Sequence, residues 1–227
     1  MKPRFISDIH LSEDNPHLTD AFKLFLNESK KTCTHLFILG DLFEIWIGDD
    51  DDNLFIQDIK KALIDFTSDG PETFLMHGNR DFLVTKSICK DLKINLLDDP
   101  TVIEIDNMKI LLMHGDTLCT DDHEYQNFRS MVRSSAWQKE MLSKSLEERL
   151  SIANSLRSKS IEANRLKGEE IMDVNNAAVM NIIEKYKPDV IIHGHTHRPN
   201  IHLHNEVTRY VLCESYNKIL KLTYDKD

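Results

Sequence analysis

The sequence predicts an α/β fold that contains a mixed or second sheet. In the first part of the chain, short apolar runs that end at a Gly, Asp or His alternate with helical stretches. Such runs are typical of buried strands in α/β proteins. After Pro199, strand-like segments follow one another without helices between them. This change favours a second or mixed sheet over a doubly wound one.

The predicted elements follow from these patterns in chain order. Apolar runs predict strands at residues 5–7, 36–39, 73–76, 110–113 and 190–192, and helical spacing predicts helices at 18–30 and 54–66. A turn at Asp106-Asn107 is expected to join residues 101–105 and 108–113 as a hairpin. Further strands are expected at 201–204, 209–213 and 219–224, with turns around Asn205-Glu206 and Tyr216-Asn217.

Residues from about 125 to 179 interrupt the strand-rich pattern, so we expect one domain, 1–227, that carries a helical insertion. Apolar residues recur there at helical spacings: Trp137, Met141, Leu142, Leu146, Leu150, Ala153 and Leu156. Residues 129–167 hold nine Lys or Arg against four Asp or Glu, a net charge of +5. Two interpretations remain open: an ordinary solvated helical face, or a lid over an anionic, partly apolar substrate.

Charge argues against a nucleic-acid partner. With 28 Lys and Arg against 38 Asp and Glu, the formal charge is −10, whereas nonspecific affinity for nucleic acid comes mainly from cations on phosphates. No protein partner is inferred.

The first eleven residues lack the apolar stretch of a secretory signal, and no apolar run approaches the roughly 20 residues that span a bilayer. The scattered cysteines form no Cys-x-x-Cys pair: Cys33, Cys89, Cys119 and Cys213. We therefore expect a reduced, cytosolic protein without a thiolate zinc site.

Five motifs with metal-ligand chemistry follow the predicted strands. They are Asp8-x-His10, Gly40-Asp41, Gly78-Asn79-Arg80-Asp81, His114-Gly115-Asp116 and Gly194-His195-Thr196-His197. Residues two apart on extended chain point the same way, so Asp8 is expected beside His10, and His195 beside His197. Carboxylate, imidazole and amide donors suit Mn²⁺, Fe²⁺ or Zn²⁺. Seven such groups exceed the needs of one ion and fit two ions that share a carboxylate.

This ordered set of motifs resembles the calcineurin-like metallophosphoesterases. The resemblance implies a sandwich of two mixed sheets flanked by helices, with metals at the strand ends. It implies one ion held by Asp8, His10, Asp41 and His197, and a second held by Asp41, Asn79, His114 and His195. Many members of the family have His where this chain has Arg80. Arg neutralises charge but donates no proton near neutral pH, which favours a phosphoanhydride substrate.

Residues 40–49, 78–82 and 193–199 also resemble a branch of this family that hydrolyses acylated UDP-sugars in lipid A biosynthesis. That resemblance implies two Mn²⁺ ions, attack of water on the α-phosphorus, and peripheral binding to the cytoplasmic face of the inner membrane. Its catalytic residues would be Asp41, Asn79, Arg80 and His195. Its substrate contacts would be Asn79, Arg80, Asp122, Ser160, Asn164, Lys167 and His195.

One stretch departs from that branch, and two other functions remain open. Residues 213–215 read Cys-Glu-Ser where Gly-Asp-Trp is expected, although no implied ligand is lost. The first alternative is a metallophosphoesterase of the same chemistry that acts on a soluble nucleotide or phosphoester. The second is a non-catalytic scaffold built on the same fold.

Overall fold

The structure is a computed structural model that describes residues 1–168, 170–212 and 222–223. Within these residues the chain forms two five-stranded sheets with helices on their outer faces. The departure at residues 213–215 and the turn expected at 216–217 lie outside the described residues. So does most of the strand expected at 219–224.

The first sheet has four parallel strands, paired in chain order, and a short antiparallel strand at one edge. The parallel strands are β1 (Pro3–Ile6), β2 (His35–Leu39), β3 (Glu72–Met76) and β4 (Ile94–Leu97). The second sheet is mixed, with the order β5-β6-β7-β9-β8. Its strands are β5 (Thr101–Ile105), β6 (Met108–Leu112), β7 (Val190–His193), β8 (Asn200–His204) and β9 (Val207–Val211). The edge strand of the first sheet is β10 (Leu222–Thr223).

Seven α-helices connect these strands in the described part of the chain. They are α1 (Pro16–Lys30), α2 (Leu54–Ser68), α3 (Lys86–Asp91), α4 (His123–Val132), α5 (Ser135–Leu142), α6 (Leu146–Leu166) and α7 (Asn176–Tyr186). The predicted hairpin is present: β5 pairs antiparallel with β6, and both Asp106 and Asn107 have positive φ, 50° and 66°. Strand β4 and helix α3 were not predicted, because each is too short for a periodic pattern.

Successive residues of each strand point to opposite faces of the sheet, and these two faces build the layers of the sandwich. Ile6, Leu36 and Ile38 point to one face of the first sheet and pack against helices α1 and α2. Phe5, Phe37 and Leu39 point to the other face of the first sheet. There they pack against three residues of the second sheet, Ile110, Leu112 and Ile192. On the far side of the second sheet, residues such as Leu111 pack against Val179 of α7. The result is the predicted sandwich of two sheets between helical layers.

Helices α5 and α6 lie against the core cluster formed by α1, α2 and the outer face of the first sheet, not between the sheets. Trp137 and Met141 of α5 pack against that cluster, and the rings of Trp137 and Phe82 lie 6.0 Å apart. Leu142 and Leu150 are exposed. The apolar residues of this segment therefore divide between a buried face and a solvent face.

Strand direction brings the polar motifs to one region. Strands β1, β2 and β3 run parallel and end just before the motifs that begin at Asp8, Gly40 and Gly78. Strands β6 and β7 are likewise parallel to each other and end near His114 and His195. Parallel strands place their carboxyl ends on the same edge of a sheet, which is where open α/β sheets form their sites.

Lys187, which caps α7, provides a test of the backbone geometry. It is exposed and has φ 47°, a left-handed conformation that costs a residue with a Cβ about 1 kcal/mol or more. We expect Lys187→Gly to raise the free energy of unfolding by about 0.5–1 kcal/mol in urea denaturation. The exposed control Glu184→Gly, inside the helix, should lower it by about 1 kcal/mol. Equal losses in both variants would contradict this geometry.

Candidate active site

The candidate ligands lie in tight turns just beyond the strand ends. Five of them have positive φ: Asp8 (55°), His10 (54°), Asp41 (53°), His195 (70°) and His197 (53°). The expectation that extended backbone aligns Asp8 with His10, and His195 with His197, is therefore wrong. Left-handed turns aim these side chains instead. Such residues cost about 1–2 kcal/mol each and persist only where surrounding contacts impose them.

Hydrogen bonds between the loops supply those contacts. The backbone N–H groups of Asp8 and His10 donate to the carbonyls of Gly40 and Asp41, each over 3.0 Å. The backbone N–H of His195 donates to both carboxylate oxygens of Asp8, over 3.1 and 2.9 Å. The first, second and fifth motifs are thus tied into one unit.

Asp81 joins the second and third motifs. Its buried carboxylate accepts hydrogen bonds from the backbone N–H groups of Leu42 and Gly78, each over 2.8 Å. The Arg80 N–H also donates to Asp41 Oδ1 over 2.8 Å. The sequence placed Asp81 in a motif but predicted no role for it, because its partner Leu42 lies 39 residues away.

One group of candidate ligands consists of Asp8, His10 and His197, whose ligand atoms all lie within 4.8 Å of one another. The Nε2 atoms of the two histidines are 3.3 Å apart, and His197 Nε2 lies 3.7 Å from Asp8 Oδ1. Asp41 Oδ2 lies 3.8 Å from His10 Nε2. All four residues implied for the first ion therefore converge.

The second group forms around Asn79. Its Oδ1 lies 3.0 Å from His114 Nε2 and 2.9 Å from His195 Nδ1. His114 Nδ1 lies 2.9 Å from the carbonyl oxygen of Leu39. Because that carbonyl accepts the Nδ1 proton, neutral His114 presents the Nε2 lone pair to the site.

Asp41 lies between the two groups. Its Oδ2 lies 3.8 Å from His10 Nε2 and 3.9 Å from His114 Nε2, one histidine in each group. The structure therefore brings all seven candidate ligands together, with one carboxylate oxygen between the two halves. Oxygen and imidazole donors in this arrangement fit two divalent cations that share Asp41.

Burial and close charge shift the pKa values of the ligands in the metal-free protein. Burial raises the pKa of Asp41 to about 6, against the opposing pull of His114 and His10. For His114, burial favours the neutral form, but the carboxylates of Asp41, Asp116 and Asp8 outweigh it and raise the pKa to about 9. Burial together with His114 lowers the pKa of His195 to about 4. In the metal-free protein the positive charge of protonated His114 offsets that of these carboxylates, a role that bound cations would take over.

A polar cavity of about 250 Å³ opens over the ligands. Asp122 and Ser160 line it together with Arg80. Lys167 contacts this lining, since its Nζ donates to the two carboxylate oxygens of Asp122 over 2.7 and 2.9 Å. Asn164 lies on α6 one helical turn after Ser160, but its side chain is outside the described residues.

Tyr125 is a cavity residue that the sequence did not single out. Its ring centroid lies 5.6 Å from that of His195, and its hydroxyl donates to Asp116 over 2.7 Å. Arg129 donates to the same carboxylate oxygen over 2.6 Å. Helix α4 is thereby fixed against the ligands. The sequence signal was weak, because a lone Tyr on a helix usually belongs to a core.

An apolar pocket of about 100 Å³ adjoins the polar cavity. Its apolar wall comes from loops of the sandwich and from helices α4, α5 and α6: Trp46, Phe82, Phe128, Trp137, Met141 and Leu156. Asn79, Arg80 and Ser160 line both spaces. A molecule with an anionic part and an apolar part can therefore bind across this boundary.

The fold and the site define the class of protein. A sequence model of the calcineurin-like phosphoesterases matches residues 1–199, and the chain belongs to this family. The family implies a dinuclear metal site, which agrees with the two groups of ligands. A solved archaeal phosphodiesterase is 17% identical over 94% of this chain and 84% of its own, with a TM-score of 0.47, a distant likeness.

Relatives of much higher similarity carry a specific name. UDP-2,3-diacylglucosamine hydrolase of Haemophilus influenzae is 44% identical over 96% of this chain and 93% of its own length. The protein of the same name from Proteus mirabilis is 46% identical over 87% of this chain and 82% of its own. The similarity covers nearly the whole chain, including α4 to α6.

The raised pKa of His114 predicts that metal binding releases protons. His114 is protonated below about pH 9 in the metal-free protein, and only its neutral form is a ligand. Metal affinity should therefore rise as pH increases from 6.5 toward 9. Calorimetric titration with Mn²⁺ in buffers of different ionisation enthalpy measures the protons released. Affinity that fell or stayed level over this range would contradict the assignment.

Gly78 tests the close approach of the loops. A Cβ at this position would lie 2.0 Å from Asp41 Oδ1 and 2.3 Å from the Asp41 nitrogen, so Gly78→Ala must displace the shared carboxylate. We expect its Mn²⁺ content after gel filtration to fall at least tenfold. In Gly168→Ala, the matched control, a Cβ meets nothing within 4 Å, and metal content should match wild type. Normal metal binding by Gly78→Ala would refute this packing.

Proposed function

We propose that this protein hydrolyses the pyrophosphate bond of UDP-2,3-diacylglucosamine, releasing UMP and 2,3-diacylglucosamine 1-phosphate in lipid A biosynthesis. The observation that carries the proposal is the polar cavity over the ligands and the apolar pocket that opens beside it. The substrate has the same two parts, a diphosphate and acyl chains. The name shared by relatives at 44% and 46% identity supports the same substrate.

The seven converging side chains would hold two Mn²⁺ ions. One would be held by Asp8, His10, Asp41 and His197, and the other by Asp41, Asn79, His114 and His195. When bound, such a pair supplies Lewis acidity that activates water and neutralises phosphoryl charge. The loop hydrogen bonds, above all those of Asp81, keep the ligands in place without rearrangement.

Arg80 favours an anhydride as the bond that breaks. Its side chain lines both spaces and is 26% exposed, within reach of a bound diphosphate. A guanidinium stays charged and stabilises negative charge that develops on phosphate, but it donates no proton to a leaving group. A sugar phosphate departs as a stable anion and needs no such proton. We further propose that water attacks the α-phosphorus next to uridine, so that the sugar phosphate is the group that leaves.

The remaining contacts place the substrate between the sandwich and the helices. We assign Asp122, Ser160, Asn164 and Lys167 to the polar part of the substrate, since the first two line the cavity and Lys167 is bound to Asp122. Residues 125–179 would act as a lid whose apolar side covers the acyl chains. A soluble nucleotide would have no use for this apolar wall, which argues against that alternative.

The protein would meet its substrate at the cytoplasmic face of the inner membrane. None of the helices in the described ranges is long and apolar enough to cross a bilayer. Apolar residues are nonetheless exposed around the insertion: Met131, Leu142, Leu150, Ile161 and Ile171. Together with the net positive charge of residues 129–167, they support peripheral binding to an anionic membrane surface.

Release of UMP tests the reaction and its regiochemistry. With Mn²⁺ and UDP-2,3-diacylglucosamine in detergent micelles, we expect UMP to form, and chelation of the metal to stop the reaction. In ¹⁸O-water the label should enter UMP, because water attacks the phosphorus beside uridine. Label in the sugar phosphate would refute the regiochemistry, and turnover that persists without metal would refute the role of the ions.

Trp137 tests the apolar pocket. Trp137→Ala removes part of the wall proposed to bind the acyl chains, so kcat/KM for the diacylated substrate should fall at least tenfold. Hydrolysis of bis-p-nitrophenyl phosphate, which has no acyl chain, should change less than threefold. Leu24→Ala, an exposed site on α1, serves as the control and should resemble wild type. Equal losses on both substrates would show that Trp137 has no acyl-specific role.

A further inference from the structure

Glu44 lies at a junction between the metal site and the insertion. It follows β2 in the loop that begins with Gly40-Asp41, and its backbone N–H donates to the Leu11 carbonyl over 3.0 Å. The adjacent residue Phe43 forms a bridge with Leu11. The side chain of Glu44 is 13% exposed. The backbone of Glu44 is thus fixed to the segment that carries His10.

One carboxylate oxygen of Glu44, Oε2, faces a candidate metal ligand. Glu44 Oε2 lies 2.8 Å from His10 Nδ1, while His10 Nε2 points toward His197 and Asp41. A carboxylate this close to Nδ1 favours the tautomer that carries its proton there, which leaves Nε2 as the ligating atom. Loss of such a partner typically lowers metal affinity by about 10–100-fold.

The other carboxylate oxygen faces the insertion. Glu44 Oε1 lies 2.9 Å from Nε of Arg157 on helix α6. It also lies 4.0 Å from Nη1 of Arg80. A single carboxylate therefore contacts a candidate metal ligand with one oxygen and the insertion with the other.

A second ion pair on the same helix offers a comparison. Arg149, eight residues before Arg157 on α6, donates to the two carboxylate oxygens of Asp50, over 2.6 Å each. Arg149 also donates to the Ile47 carbonyl over 3.0 Å. The sandwich therefore holds α6 by two arginine–carboxylate pairs. Asp50 is not one of the candidate ligands.

We propose that Glu44 is a positioning residue that couples occupancy of the metal site at His10 to the docking of helix α6. The proposal rests on the dinuclear site described above. Metal bound at His10 fixes the imidazole and hence the carboxylate, which then presents Oε1 to Arg157. Because coupling between two sites is reciprocal, a docked helix in turn supports the ligand.

Three variants separate coupling from simple loss of a contact. Glu44→Gln keeps the shape of the side chain, but an amide has only one acceptor oxygen and cannot serve His10 and Arg157 together. Arg157→Gln removes only the contact with the helix. Asp50→Asn is the matched control, since it also changes a carboxylate that pairs with an arginine of α6. Circular dichroism confirms that each variant is folded.

Two measurements without substrate form the test: Mn²⁺ affinity by calorimetry, and hydrogen exchange of the amides of residues 152–160 with and without Mn²⁺. In wild type, Mn²⁺ should slow exchange in this segment. Glu44→Gln should bind Mn²⁺ at least tenfold more weakly at one site, and saturating Mn²⁺ should no longer slow hydrogen exchange in this segment. Arg157→Gln should lose the slowing as well. Asp50→Asn should keep wild-type affinity and the slowing.

Several results would overturn the proposal. Wild-type affinity in Glu44→Gln would show that the carboxylate does not hold His10 as a ligand. If Mn²⁺ still slowed hydrogen exchange in Glu44→Gln or Arg157→Gln, metal binding would affect α6 through other contacts. If Mn²⁺ did not slow exchange in wild type, metal binding and helix docking would not be coupled. Failure of wild type to bind Mn²⁺ is a different result, since it would refute the metal site itself.

Discussion

The site depends on the close approach of the loops that carry Asp41 and Asn79. A Cβ on Gly78 would meet Asp41 Oδ1 at 2.0 Å, and a Cβ on Gly40 would meet His114 at 2.5 Å. Only glycine allows these loops to pack so tightly, and Gly40 also has φ 90°. The packing leaves one oxygen of Asp41 between His10 and His114. Asp41 therefore lies between the histidines of the two ligand groups.

Much of the fold and of the ligand set could be predicted because the signals were local. The strands before Asp8, Asp41 and His114 appear as apolar runs, and the donors follow each run directly. The turn geometry was not predictable in the same way. Residues such as His10 and His195 adopt positive φ where contacts with distant loops hold them, and periodicity rules assume regular backbone. The short elements β4 and α3 were missed because so few residues give no period.

Contacts between residues far apart in the sequence were the least predictable. The partner of Asp81 is 39 residues away, and Lys167 binds Asp122 from 45 residues away. Charge patterns alone do not choose among the many acids and bases of the chain. The same holds for Glu44 and Arg157, whose pairing depends on how α6 lies over the sandwich. Glu44 and Arg157 both line the apolar pocket, so their contact links the candidate metal ligand His10 to that pocket.

Electron paramagnetic resonance of the Mn²⁺-loaded protein tests most directly whether Asp41 joins two ions. A carboxylate shared by two Mn²⁺ ions predicts two metals per chain and a spectrum of an exchange-coupled pair. In Asp41→Ala that spectrum should be replaced by the six-line signal of isolated ions. A wild-type protein that bound a single ion, or two ions with only isolated six-line signals, would contradict the shared carboxylate.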